Sequence, residues 1–220
     1  NSRFTAPASA CPSISPEWET PEGVPISAIL FGARRQTLVP LVYQAFSWQH
    51  GTFLGATLSS ETTAATTGAV GVVRRDPMAM LPFCGYNMAD YWGHWLAMGK
   101  RVSKPPRIFR VNWFRRDERG AFLWPGFGEN LRILKWVIER CKGGGEAEET
   151  PIGYVPTRSA IDRKGLNVSA DALKELLRVD REGWRANLRS QAEFFEKFGD
   201  RLPAGIREEY EALARRLKAK

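Results

Sequence analysis

The sequence predicts a mixed α/β domain with a helical C-terminal tail. Three observations carry that expectation. Before residue 125 short apolar runs alternate with Pro- and Gly-bounded loops, the texture of strands. After residue 130 the apolar residues recur at helical spacing. With 43% hydrophobic and 25% charged residues in 220, the composition is that of a globular domain with a full core, and excludes wholesale disorder and collagen-like sequence.

In chain order, residues 24–31 are apolar and flanked by Pro and Gly, as a buried strand would be, and residues 52–58 and 107–114 read the same way. Residues 57–72 are dominated by Ser, Thr, Ala and Gly, which points to a mobile loop rather than core. Residues 90–98 have helical character, with Gly99 as the stop. Residues 131–141 form a better helix: Leu131, Leu134 and Ile138 share a face, and the glycines at 143–145 end it. Beyond Pro156, Trp184, Leu188, Ala192 and Phe195 follow helical spacing, as do Tyr210, Leu213 and Leu217. Asp171 and Glu175 toward one helix start, and Lys218 and Lys220 toward the last end, suit the helix dipole.

The 32 basic and 24 acidic residues give a net charge of +8, spread evenly between the two parts of the chain. The dense spot is residues 100–119, where eight Lys and Arg face only Asp117 and Glu118. Such a cluster meets phosphates or forms a solvated face. Three cysteines without a C-x-x-C pair signal neither a zinc knuckle nor a disulfide framework, and fit a reducing compartment. His50 and His94 lack a local ligand partner and read as structural, so no metal ligand is assigned within the chain. No apolar run approaches the roughly 20 residues of a membrane span. The first sixteen residues carry no signal-peptide pattern and do not begin with Met, which suggests a piece of a longer protein.

The segment with the most chemical character is NWFRRDERGAFLWPGFGEN, residues 112–130. Trp113, Phe114, Phe122, Trp124 and Phe127 lie there among Arg115, Arg116 and Arg119. Such rings either sandwich a flat base, at about 1–3 kcal/mol per stacked base, or plug the core. Asn130 would then meet a base edge, and Gly126 and Gly128 permit close backbone approach. A second segment, Phe31-Gly32-Ala33-Arg34-Arg35, runs a strand end into two guanidiniums suited to phosphate oxygens, or to surface salt bridges. Neither G-x-x-x-x-G-K-S/T nor G-x-G-x-x-G opening a helix occurs, and no nucleophile–base arrangement is visible.

Taken together these segments resemble the C-terminal part of the GTP-dependent phosphoenolpyruvate carboxykinase family. The matching pieces are NSRFTAPASACP, EGVPISAILFGARR, FSWQHGTFLGATLSSETTAA, RRDPMAMLPFCGYN and RIFRVNWFRRDERGAFLWPGFGENLR, in family order over about residues 1–155. PIGYVPT and the tail match more loosely. The resemblance implies a mixed-sheet nucleotide-binding portion over residues 1–156, with a lid near 60–72, and a helical subdomain over 157–220. It implies decarboxylation of oxaloacetate and phosphorylation by GTP to give phosphoenolpyruvate, GDP and CO2, a step of gluconeogenesis. By the same resemblance Asn1, Ser2 and Arg3 bind substrate, with Arg3 catalytic between substrate and γ-phosphate. Arg34 meets nucleotide phosphates, Phe114, Phe122 and Phe127 clamp guanine, and Gly128, Glu129 and Asn130 line its edge. It further implies Mn2+, with ligands upstream of this chain, and Mg2+ with the nucleotide. The family's phosphate loop also lies upstream, so the expected partner is the N-terminal remainder of the enzyme, and the chain alone is expected to be inactive. A cytoplasmic monomer without membrane or nucleic-acid partners is implied. The alternative is a non-catalytic module that binds guanine nucleotide or RNA.

Overall fold

The computed structural model describes residues 5–63 and 69–219. Among these, β1 (Ala28–Gly32), β2 (Val42–Gln44), β5 (Arg107–Val111), β6 (Ala147–Thr150) and β7 (Gly153–Pro156) form one mixed sheet in the order β1-β5-β2-β7-β6. Only β1 and β5 run parallel; the other pairings are antiparallel. A separate two-stranded ribbon pairs β3 (Ser59–Glu61) with β4 (Val73–Arg75). The helices are α1 (Trp48–Ala56), α2 (Met88–Arg101), α3 (Asn130–Cys141), α4 (Ala170–Leu177), α5 (Arg181–Glu196) and α6 (Ala204–Lys218). The domain is α/β, as the sequence predicts.

The alternation of side chains along β5 sets the layers. Phe109 points to one face, where its ring meets Trp136 of α3 edge-on at 5.9 Å. Ile108 and Arg110 point to the other, where α1 packs so closely that a Cβ at Gly51 would stand 2.4 Å from Ile108 Cδ1. Tyr43, the β2 partner of Arg110, meets Trp184 of α5 on that same face, ring centroids 6.4 Å apart. The sheet is therefore covered on both sides, and Trp92, Trp124 and Trp136 are wholly interior.

Residues 52–58, expected as a strand, belong mostly to α1. Ser47 caps it, its Oγ accepting from His50 N–H at 3.1 Å. His50 through Ala56 are all buried, so no polar face interrupts the apolar run and no helical period is there to read. The expected loop from Thr57 likewise begins inside the core: Thr57, Leu58 and Ser59 are buried before the chain emerges at the ribbon. The 24–31 strand is narrower than expected, with Val24 and Ile26 exposed ahead of β1. Gly99 does not stop α2 but lies within it; the residue is glycine there for packing, since a Cβ would strike the Trp48 indole at 2.2 Å. That indole stacks on Trp95 at 5.3 Å and donates to the Trp95 carbonyl at 2.6 Å.

The β6–β7 hairpin adds two strands after residue 130, inside the mixed-sheet portion expected over residues 1–156 and ahead of the helical tail. Its outer strand, Ala147-Glu148-Glu149-Thr150, carries little apolar alternation because it is the sheet edge. Gly153 returns the chain with φ +136°, where a Cβ would stand 2.3 Å from the Gln44 carbonyl oxygen. The expected helices at 131–141 and in the tail are present as α3, α5 and α6. Asp171 sits in the first turn of α4, capped by Ser169, whereas Glu175 lies further along and pairs with Arg115 and Arg178.

Two expected outcomes follow from this packing. Gly51→Ala forces the branch point of Ile108 aside and lowers stability by about 1–3 kcal/mol, read as a fall in the thermal midpoint. His50 is interior, stacked on Phe46 at 4.8 Å, with Nδ1 accepting from the Phe46 N–H at 3.0 Å. Burial, and then Arg216, push its pKa from the ordinary 6.5 to about 3. Between those values the unfolded chain binds a proton that the native one refuses. Stability from the neutral imidazole is thus complete above pH 6.5 and falls by about 1.4 kcal/mol per unit as pH drops toward 3. Urea titrations across that window should show a shallower slope in His50→Asn than in the parent.

Candidate nucleotide site

Because β1 and β5 are parallel, with Gly32 opposite Val111, the loops leaving their carboxyl ends emerge side by side. Crevices at such strand ends are where open α/β sheets hold ligands. Here the crevice encloses about 300 Å³ and is lined by Gly32, Arg34, Ser60, Asp76, Trp113 and Phe114, among others. A larger hollow of about 460 Å³ at the start of α4 is lined by no aromatic ring.

Arg34 is exposed at the crevice mouth, its guanidinium carbon 5.3 Å from the centre of the Phe114 ring. Its own backbone is fixed to the β3 ribbon: Arg34 N–H donates to Ser60 Oγ at 3.2 Å, and Glu61 N–H donates to the Arg34 carbonyl at 2.9 Å. Arg35 does something different. It is buried, donates to Ser59 Oγ at 2.6 Å and lies 4.0 Å from Glu61 Oε1. Burial, and then the charge of Arg110, pull its pKa down to about 10. The two adjacent guanidiniums are therefore not a paired phosphate clamp: one faces the crevice and its neighbour faces the interior.

The aromatic segment divides in the same way. Trp124 is a core ring. Phe114 and Phe122 stand edge to face, centroids 6.2 Å apart and planes at 71°. Phe122 is 54% exposed and carries the Arg116 guanidinium over its ring at 4.2 Å. A turn holds it there: Asp117 Oδ1 accepts from Arg119 N–H and Ala121 N–H at 2.9 and 2.8 Å, and Arg116 bridges back to Phe122. Phe127 is 95% exposed at φ +42°, directly after Gly126 at φ +78°. The left-handed backbone is strained, and the bare ring it carries is an exposed surface that a bound flat group would cover.

Asn130 opens α3, and its Oδ1 accepts from Trp124 Nε1–H at 2.8 Å, which leaves the side-chain NH2 as the free donor toward an edge. Glu129 pairs with Arg132, and among the described residues nothing beyond its chain neighbours lies within 4 Å of where a Gly128 Cβ would stand. The structure brings Arg34, Phe114 and Phe122 together, with Phe127 through Asn130 on the following turn. Asn1, Ser2 and Arg3 lie outside the described residues, as does the 64–68 part of the expected lid. The basic cluster at 100–119 is no single surface, since Arg110 and Arg115 are interior, the latter paired with Glu175.

Asn112 has no part in the sequence reading and proves to organise the crevice. Buried at the end of β5, its Nδ2 donates to the carbonyls of Arg35 and Val39 at 2.8 and 2.9 Å, and its Oδ1 accepts from Arg35 and Phe114 N–H, both at 3.2 Å. A polar residue closing an apolar strand run just before the rings is the only signal of it in the sequence.

Among the described residues no three His, Cys, Asp or Glu side chains gather as a metal site requires. No helix among them is long and apolar enough to cross a membrane.

Residues 1–216 match the family model described as the phosphoenolpyruvate carboxykinase C-terminal P-loop domain. Similar proteins named "Phosphoenolpyruvate carboxykinase [GTP]" include those of Anaeromyxobacter dehalogenans strain 2CP-C, 56% identical over 100% of this chain and 37% of their own length, and Chlamydia muridarum, 52% identical over 99% and 37%. The Treponema pallidum strain Nichols protein of that name is 53% identical over 99% of this chain and 36% of its own. The chain thus spans little more than a third of the length of these relatives. The family match reaches through the strand ends, the aromatic turn and the helical tail alike, and the chain belongs to the GTP-dependent phosphoenolpyruvate carboxykinase family.

Proposed function

We propose that this chain supplies the guanine- and phosphate-binding side of an enzyme that decarboxylates oxaloacetate and transfers the γ-phosphoryl group of GTP to the resulting enolate. The products are phosphoenolpyruvate, GDP and CO2. The observation that carries this reading is the approach of the exposed Arg34 guanidinium to the Phe114 ring, with Phe122 set across it. That is a fixed positive charge beside a stacking surface, the two things a nucleotide needs.

In this reading the base lies against Phe114 and Phe122, Phe127 closes over it, and residues 128–130 meet its edge. Arg34 neutralises phosphate oxygens, which is most of what phosphoryl transfer asks of a protein. Loss of CO2 leaves the electron pair on the enolate, whose oxygen attacks the γ-phosphorus as GDP departs. The β3–β4 ribbon, hydrogen-bonded to the Arg34 backbone, is the base of a lid that keeps water from protonating the enolate. Asn1, Ser2 and Arg3 are assigned to substrate, with Arg3 catalytic.

The described residues offer no group of three His, Cys, Asp or Glu side chains to hold the implied manganese, and the implied magnesium would be held chiefly by the nucleotide's own phosphates, so no step is routed through a metal here. We place those ligands, and the phosphate loop, in a polypeptide upstream of residue 1. The whole enzyme is assigned as a cytoplasmic monomer.

Calorimetric titration of the chain with GDP and ADP tests the nucleotide site. GDP is expected to bind in preference to ADP, and Phe122→Ala to weaken it about tenfold, the loss of roughly 1.4 kcal/mol of stacking. Equal affinity for the two nucleotides would falsify the guanine assignment, and salt-sensitive RNA binding in its place would favour a non-catalytic RNA module. The 220-residue chain supplied with oxaloacetate, GTP and Mn2+ is expected to produce no phosphoenolpyruvate. Metal-dependent turnover in that assay would overturn the placement of the metal ligands.

A further inference from the structure

Behind the crevice, between the sheet and α5, lies a polar layer that the nucleotide reading does not use. Tyr43 and Arg110 stand side by side on one sheet face. On α5, Trp184 meets the Tyr43 ring and Asn187 Oδ1 accepts from Arg75 at 3.0 Å, with the buried Gln191 one turn further along. Arg35 enters from the side through Ser59, whose strand partner is Arg75. Three guanidiniums thus share one enclosed region.

Arg75 is well satisfied, donating to the Thr57 carbonyl, Asn187 and Ser190 Oγ. Arg110 is not. Its Nη1 reaches Tyr43 Oη at 3.4 Å, but Nε and Nη2 are buried without a hydrogen-bond partner. Those two atoms form the side-on fork by which a guanidinium grips an anion. Arg35 Nε and Trp184 Nε1 are also unpartnered, against a single free acceptor, Gln191 Oε1. Donors therefore exceed acceptors four to one. Charge is in excess as well, with Glu61 4.0 Å from Arg35 and Glu193 drawing on Arg75 as the carboxylates in reach.

We infer that this layer holds one halide-sized anion, gripped by the Nε and Nη2 edge of Arg110 and bounded by Arg35, Trp184 and Gln191. A buried charge without a partner is strongly unfavourable, and an anion offsets charge and unmet donors together, whereas a water meets only the donors. The size follows from burial: Tyr43, Arg110, Trp184 and Gln191 are each at most 2% exposed, so a ligand there has to fit among interior side chains. Burial is the first cause of the lowered Arg35 pKa, and the second, the charge of Arg110, is a repulsion that such an anion would relieve.

Crystals of the chain grown in sodium bromide test this directly. An anomalous peak within hydrogen-bond distance of Arg110 Nη2 is expected, and a water at that place overturns the inference. In solution, replacing gluconate by chloride at constant ionic strength should raise the thermal midpoint, and Arg110→Lys, which keeps the charge but loses the fork, should need at least tenfold more chloride for the same rise. A midpoint indifferent to that exchange in the parent chain counts against the site as decisively as an absent peak.

Discussion

Much of this structure hangs on one buried amide. Asn112 ends β5 and binds with both of its polar atoms, holding the Arg35 and Val39 carbonyls and receiving the N–H groups of Arg35 and Phe114. These four bonds lock the loop after β1 to the loop after β5, and so set where Arg34 and Phe114 stand. A side chain that satisfies donors and acceptors on three residues in two loops has no apolar substitute, because each freed group would be left unpaired. The crevice is rigid where Asn112 reaches and carries its exposed rings where it does not.

The same loops show how neighbours in sequence can be sent to opposite tasks. Arg34 faces solvent beside Phe114, while Arg35 turns inward to Ser59 and the polar layer under α5. Extended backbone at a strand end alternates its side chains, so two adjacent guanidiniums cannot both reach one phosphate. The inner arginine braces the ribbon whose backbone holds the outer one, through Ser59 and Glu61. An enclosed cationic layer behind an exposed cationic one is costly unless each charge finds a partner, which is why the unpaired edge of Arg110 stands out.

Family membership was legible in the order and wording of the segments, and the family model matches residues 1–216. The crevice was legible in part. Arg34, Phe114 and Phe122, which the family resemblance singled out, stand close together, because Arg34 and Phe114 directly follow two parallel strands and the turn at Asp117 brings Phe122 back to Phe114. The fate of Trp124 could not be read, since an indole that plugs a core and one that stacks on a base look alike in sequence. Asn112 was missed because its role depends on backbone 73 and 77 residues away.

What the sequence determined by itself was local. It placed the helices of the tail, whose apolar faces repeat at 3.6 residues, and marked the Gly- and aromatic-rich turn at 122–130. Tertiary structure decided whatever depended on burial from every side. Residues 48–56 are a helix whose enclosure hides its period, Gly99 is a packing glycine within α2 where Trp48 leaves no room for a Cβ, and 147–150 is a strand by its pairing with β7. Period and propensity report one face of an element at a time. Where the whole circumference is packed, or where hydrogen bonds alone hold an edge, the deciding contacts come from distant parts of the chain.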